Sequence, residues 1–341
     1  MGIYRLSHGV VRLKGACLGA ADDARASQFP FIAPCRSART AVLLVFLTPI
    51  SVLGAARNHS PVHLPGYKAV SVHYEPLNKM IMPVRINGQA AKLLVDTGSN
   101  QVILNAGAAE LFGVAPSPRG LHYIRFTEIQ GELLPVGFVQ NLSAGRMNFG
   151  SKLVTLRRSS QAGVANADLD GVLGLDILFG HKALINCGTK VVFFKVDQTR
   201  RIKLDSVAVS EKFTRIPIQR EETGALTVSC SIRGRPARLL IDTGAFVSIL
   251  HEGFTRSLGL ATEPTKISAQ FGRGPSKQIS AAKTDVHVGV FKVPLKKFGV
   301  ARLPRFALEQ GDTRIAGILG MDTLYICHAI IDLDGMNLFL K

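Results

Sequence analysis

Tryptophan is absent from the 341 residues, and aromatic residues together make up only 7% of them. Acidic residues are also scarce: 24 Asp and Glu stand against 41 Lys and Arg, for a net charge of +17. A nucleic-acid reading of so basic a chain wants the charge gathered on a known binding fold or interleaved with stacking aromatics. Here the basic residues are spread over loops and strand edges, so no nucleic-acid partner is expected. Attraction to an anionic surface is the milder consequence. Cysteine is limited to Cys17, Cys35, Cys187, Cys230 and Cys327, no two at metal-ligand spacing. His59, His63 and His73 form no metal pattern either, so neither a metal nor another cofactor is expected. Cys187, Cys230 and Cys327 lie in apolar contexts and read as buried structural thiols, with one disulfide among them as the alternative in an oxidising compartment. Gly-x-Ser-x-Gly, His-Glu-x-x-His and the dinucleotide fingerprint are all missing, which removes the serine-nucleophile, zinc-helix and Rossmann readings. Gly272 to Lys277 has glycines but not the spacing of a phosphate loop. The hydrophobic fraction, 47%, suffices for two cores without metals or disulfides.

The sequence does contain one tripeptide twice, each time behind the same apolar run. Leu93, Leu94 and Val95 lead into Asp96, Thr97 and Gly98; Leu239, Leu240 and Ile241 lead into Asp242, Thr243 and Gly244. Average composition yields roughly one chance Asp-Thr-Gly per several thousand residues. An offset of 146 positions carries far more than the tripeptide. It lays Ile86, Gly88, Ala91 and Lys92 on Ile232, Gly234, Ala237 and Arg238, and Ile103 and Leu104 on Ile249 and Leu250. It also lays Gly171, Val172, Leu173 and Gly174 on Gly317, Ile318, Leu319 and Gly320. The chain therefore reads as an internal duplication of two copies, each large enough for a small lobe.

With both elements present twice at one spacing, the chain resembles the aspartic proteases, which carry Asp-Thr-Gly followed by a hydrophobic-hydrophobic-Gly element. The resemblance covers roughly residues 66 to 341. The halves have the size of the retropepsin-like lobe and are joined in one chain as in pepsin. This implies a mainly β, two-lobed acid-protease fold with the catalytic cleft between the lobes.

The expected organisation is an N-terminal extension with a signal peptide or anchor (1–56), a linker (57–65), an N-terminal lobe (66–196), an interlobe linker (197–212) and a C-terminal lobe (213–341). Arg36 and Arg39 precede an apolar run from Ala41 to Gly54 that ends in small residues. This is the secretory pattern, too short for a membrane span. An exported protein, periplasmic or secreted, is expected, with an anchor at residues 41–54 as the alternative. The long segment before the run points to a mis-assigned start. Within the first half, Tyr67 to Tyr74 and Met80 to Ile86 alternate as strands. Asn87-Gly88 turns a hairpin, Ala106 to Phe112 reads as a helix closed by Gly113, Gln130-Gly131 as a second hairpin turn and Gly150 as another. Arg233-Gly234 and Asp334-Gly335 are turns of the second half.

Two carboxylates within hydrogen-bond distance cannot both ionise and share one proton. The ionised member can take a proton from water while the protonated member gives one to a peptide carbonyl. Asp96 and Asp242 are that candidate catalytic pair, and acid and base roles belong to the pair rather than to either residue. In the family the hydroxyl of Thr97 and Thr243 bonds across to the other half's loop. Gly98 and Gly244 are expected to take a positive φ, approach closely and let backbone N–H groups reach the carboxylates. Ser99 is expected to add a hydrogen bond to its aspartate, which Ala245 cannot. Asp176 and Asp322 read as caps of short helices rather than as further catalytic acids. The resemblance implies flaps, placed at about Leu121 to Leu133 and Ile267 to Ile279, with Tyr123, Gly272 and Gly274 as candidate substrate-binding residues. The expected activity is an aspartic endopeptidase acting on peptide or protein substrates as a monomer, at acidic to mildly acidic pH. An exported peptide-binding protein on the same fold and a structural envelope protein are the rivals.

Overall fold

The computed structural model describes residues 64–116, 126–129, 132–158, 169–200, 202, 204–269, 277–303 and 315–341. The N-terminal extension with its 41–54 run, Cys17, Cys35, His59, His63, most of the 57–65 linker, the Gln130-Gly131 turn, Tyr123, Gly272 and Gly274 lie outside the described residues. Among the described residues, no helix is long and apolar enough to cross a membrane.

The chain is mainly β, and its second half repeats most of the element order of its first. The first half runs β1 (Tyr67–Ser71), β2 (His73–Glu75), β3 (Lys79–Ile86), β4 (Gln89–Val95), β5 (Ile103–Asn105), α1 (Ala106–Leu111), β6 (Phe126–Ile129), β7 (Glu132–Ala144), β8 (Met147–Arg157), β9 (Gly171–Leu173), α2 (Leu175–Leu178), β10 (Leu184–Asn186) and β11 (Val191–Lys195). A short helix, α3 (Leu204–Ser210), interrupts the segment read as a plain linker. The second half runs β12 (Thr214–Arg220), β13 (Leu226–Ile232), β14 (Arg235–Ile241), β15 (Ile249–His251), α4 (Glu252–Ser257), β16 (Thr262–Ala269), β17 (Lys277–Lys283), β18 (Val286–Val288), β19 (Phe291–Lys292), β20 (Lys297–Ala301), β21 (Ile315–Leu319), α5 (Met321–Ile326), β22 (Ile330–Asp332) and β23 (Asn337–Leu340).

Turn chemistry sets much of this. Asn87 and Gly88 both have positive φ, 50° and 86°, as do Arg233 and Gly234 at 50° and 75°. Two left-handed residues in succession match the twist of the strands they join, so β3–β4 and β13–β14 close as tight hairpins. Gly150 is not a turn. β8 runs straight through it, and the reversal lies between the paired residues Ala144 and Met147. The positive φ of Gly150, 73°, instead accommodates a register shift where Leu142 and Ser143 change partners, the geometry of a β-bulge.

Six strands tie the halves together in the order β1-β11-β10-β22-β23-β12. At their centre β10 and β22 run antiparallel, with Ile185 opposite Ile331, its counterpart at the 146-residue offset. Outward from this sheet the halves differ. β12 passes unbroken from pairing with β23 to pairing with β13. The stretch Tyr67 to Tyr74, read as one strand, instead breaks at Val72. β1 stays with β11, and β2 turns away to β3. The first half therefore has a separate eight-stranded sheet, β2-β3-β4-β9-β5-β8-β7-β6.

Buried aliphatic side chains from both halves merge into one core. Two small clusters stand apart from it and correspond: Leu94, Ile103, Leu169 and Val172 in one half, Leu240, Ile249, Ile315 and Ile318 in the other. Each joins the strand that ends in Asp to the strand of the hydrophobic-Gly element.

Candidate active site

β4 is buried along Leu93, Leu94 and Val95 and lies parallel to β9, with Leu94 opposite Val172. β14 lies parallel to β21 in the same way, with Leu240 opposite Ile318. Each strand stops where the Asp backbone N–H bonds to the partner strand's last carbonyl, Asp96 to Leu173 and Asp242 to Leu319, both at 3.1 Å. The chain then turns sharply and leaves as β5 or β15. Gly171 and Gly317 permit this crossing, because a Cβ on either would run into the carbonyl of Ile103 or Ile249.

The two turns interlock. The Thr97 hydroxyl donates to the Ile241 carbonyl at 2.9 Å and accepts the Thr243 N–H at 3.0 Å. The Thr243 hydroxyl donates to the Val95 carbonyl at 2.8 Å and accepts the Thr97 N–H at 3.0 Å. Both threonines are 1% exposed, so all four bonds are shielded from water. The lock brings the carboxylates to opposite glycines: a Cβ on Gly98 would lie 2.5 Å from the Asp242 Cγ, and one on Gly244 2.5 Å from the Asp96 Cγ. Close approach is thus why glycine is needed here. Neither residue is among those with positive φ, contrary to the expectation from sequence.

Backbone donors reach the carboxylates from inside each turn. Gly98 N–H bonds to Asp96 Oδ1, and Gly244 N–H bonds to Asp242 Oδ1, each at 2.8 Å. Ala245, whose side chain offers nothing, donates its own N–H to Asp242 Oδ1 at 3.0 Å. The Ser99 hydroxyl takes another course than expected and donates to the Gln101 carbonyl at 3.0 Å. A carbonyl two residues ahead suits a short side chain in a turn better than its own aspartate. Burial, then the charge of Asp96, hold the Asp242 carboxyl well above the ordinary carboxylate range, against the pull of the Ala245 and Gly244 N–H groups. A pair so placed keeps one proton well above the pH at which an isolated carboxyl would lose it.

Asp176 and Asp322 are not helix caps. The caps of α2 and α5 are Gly174 and Gly320, without side-chain bonds, and both acids lie within the first turn. Each is turned back toward the stretch that follows its half's Asp-Thr-Gly. Asp322 Oδ1 accepts the Ser248 N–H at 2.9 Å, the Ser248 hydroxyl at 2.6 Å and the Thr323 N–H at 2.7 Å. Asp176 accepts the backbone N–H of Val102, the counterpart of Ser248, and that of Ile177. Burial pushes the Asp176 carboxyl up to about 6, partly offset by these N–H groups and the Lys152 charge. Asp322 is also raised by burial, and here the Ser248 and Thr323 hydroxyls pull against it. Sequence reasoning passed over Ser248, although the mismatch with Val102 was visible at the offset. It also passed over Asn100, whose side-chain amide spans the halves to the Thr223 carbonyl at 2.7 Å, and the bond from the Gln101 amide to the Thr155 hydroxyl.

A sequence model of the family described as aspartyl protease matches residues 228–323. The chain resembles the aspartic proteases. No curated protein matches it. Among solved structures, it is similar to basic 7S globulin from soybean, at 11% identity over 81% of this chain and 94% of that one, with a TM-score of 0.46. It is similar also to the aspartic proteinase of Irpex lacteus, at 12% identity over 81% and 97%, with a TM-score of 0.46.

The two stretches expected to form flaps have their described parts in β6–β7, with Ile129 opposite Glu132, and in β16–β17, where the Thr265 hydroxyl donates to the Ile279 carbonyl at 2.6 Å. Cys187, Cys230 and Cys327 are buried free thiols, pushed up to about 12 by burial. Among the described residues, no cluster of His, Cys, Asp and Glu is placed to hold a metal.

Proposed function

We propose that the protein is an aspartic endopeptidase in which Asp96 and Asp242 act as one acid–base pair on an extended peptide or protein substrate. The observation that carries this reading is the reciprocal seating of each carboxylate against the opposite glycine, held by the crossed threonine bonds. The pair holds one proton between two carboxylates. Its ionised member takes a proton from a water as that water's oxygen attacks the peptide carbonyl carbon. The protonated member gives its proton to the carbonyl oxygen, leaving a neutral tetrahedral diol. Collapse of the diol breaks the C–N bond, with the amine nitrogen taking a proton from the pair and a diol hydroxyl returning one to it. The pair ends as it began, and the sequence of steps calls for no cofactor. Outside the turns, the cross-strand partners of the β6–β7 and β16–β17 hairpins supply the edges along which a substrate backbone would bond. The export reading of residues 41–54 accords with a protease acting outside the cytoplasm. Pairing of Ile185 with Ile331 at the centre of the interlobe sheet supports descent of the halves from one duplicated lobe.

The test is cleavage of a mixed peptide library by the full chain at pH values from about 3 to 7, beside Asp96→Asn and Asp242→Asn. Loss in both variants with the fold intact supports one shared pair. Survival in either refutes it. A folded wild type that binds peptides but cleaves none at any pH favours the peptide-binding rival.

A further inference from the structure

The two catalytic turns are braced differently, and the difference is concentrated in one residue. In the second half, Gly320 sits between two anchors of the Asp242 turn. Leu319 accepts the Asp242 N–H, and Met321 donates to the Ala245 carbonyl at 2.7 Å. The Ser248 hydroxyl reaches into this junction. It accepts the Gly320 N–H at 3.0 Å, donates to Asp322 Oδ1 at 2.6 Å and lies 2.7 Å from the Thr323 hydroxyl. Ser248 is completely buried, as is Thr323, so no water replaces these bonds. In the first half, the corresponding anchors exist: Leu173 accepts Asp96 N–H, and Leu175 donates to the Ser99 carbonyl at 2.7 Å. The corresponding side chains are Val102 and Ile177, which carry no hydroxyl. There the loop backbone packs more tightly on Gly174: a Cβ at Gly174 would meet the Gln101 backbone more closely than one at Gly320 meets Ala245 and Val247.

We propose that Ser248, working through Asp322 and Thr323, is a positioning residue that sets the placement of Asp242 within the pair, and that the first half has no equivalent brace. The proposal rests on the reading of Asp96 and Asp242 as the catalytic pair. Removing the hydroxyl strands a buried N–H at Gly320, one residue from the carbonyl that ends the Asp242 strand. Small displacements of a reacting group cost rate rather than substrate affinity. Ser248→Ala is therefore expected to lower kcat about ten-fold with KM changed less than about two-fold, and Ser248→Thr, which keeps the hydroxyl, to restore most of the rate. Ser257→Ala, which removes an exposed hydroxyl from α4, is the matched control and is expected to leave both constants unchanged.

A second readout does not need proteolysis. Carbon-13 carboxyl NMR titration of the full chain, with the two resonances assigned through Asp96→Asn and Asp242→Asn, reads the apparent pKa values of the pair directly. Ser248→Ala is expected to move them by about half a unit or more, Ser248→Thr and Ser257→Ala by less. Wild-type kcat and wild-type titration in Ser248→Ala overturn the proposal. A titration that moves in a protein that cleaves nothing upholds the brace and removes the protease reading. A titration that stays put in such a protein removes both.

Discussion

The two halves place a carboxylate in the same way and support it in different ways. Asp176 and Asp322 occupy matching places in α2 and α5, and both hold the backbone six residues beyond Asp96 or Asp242. Both accept backbone N–H groups, but Asp322 adds the hydroxyls of Ser248 and Thr323, whereas Asp176 adds only the charge of Lys152. The contrast teaches that a shared backbone plan fixes where an acid goes, and that the side chains around it determine how comfortably it ionises.

The largest expected effect tests what is common to both halves. Asp96→Asn and Asp242→Asn should each reduce kcat/KM by roughly a thousand-fold or more, and by similar factors. A pronounced inequality, measured on one peptide at one pH, would mean that one half does the chemistry alone. Next come the crossed threonines. Thr97→Val and Thr243→Val each remove two buried bonds and leave an N–H and a carbonyl of the other turn unpaired, at a cost of about 2–4 kcal/mol. Urea unfolding should give matching losses, and unequal ones would show that the lock is not reciprocal in energy.

The third prediction separates the halves by pH. The folded-state pKa of Asp176 is about 6, against 3.8 for the free group. A raised carboxyl binds its proton more tightly in the folded protein. Stability is therefore greatest below about pH 4, falls as pH rises to about 6 and then levels off. Asp176→Asn should accordingly be the more stable protein at pH 7, by on the order of 2–3 kcal/mol, with the advantage vanishing by about pH 4. Asp322→Asn should gain less. Thermal melts of both variants across that range check the sign, and an Asp176→Asn that melts lower than wild type at pH 7 refutes it. The smallest effect concerns Asn100, whose counterpart is Phe246. Asn100→Ala loses one interlobe bond, worth about 1 kcal/mol, and a chemical-denaturation midpoint can resolve it.

Much of the fold was legible because it is written twice. Matching apolar runs before Asp96 and Asp242, and matching Gly elements 75 positions further on, specify buried parallel strands whose ends must meet. Asn87-Gly88 and Arg233-Gly234 were legible for a local reason, since the turn depends on those residues alone. What escaped depends on distant partners. The φ values of Gly98 and Gly244 are ordinary because their constraint is the carboxylate of the opposite half, Asp242 or Asp96, not a local turn. Asp176 and Asp322 bond back to Val102 and Ser248 because the strands of the Gly element bring those atoms within reach, whereas Ser99 was misjudged locally, its hydroxyl preferring the Gln101 carbonyl two residues ahead. Gly150 looked like a turn because bulges and turns ask the same thing of glycine.

The pairing of Ile185 with Ile331 carries a last consequence. In an assembly of two identical chains, every substitution arrives in duplicate, and a residue beside the axis meets its own altered copy. Here the two paired strands are separate stretches of a single polypeptide. A serine at 248 imposes nothing on the valine at 102, and Ala245 imposes nothing on Ser99. The join between the halves is a seam across which each side can be tuned alone.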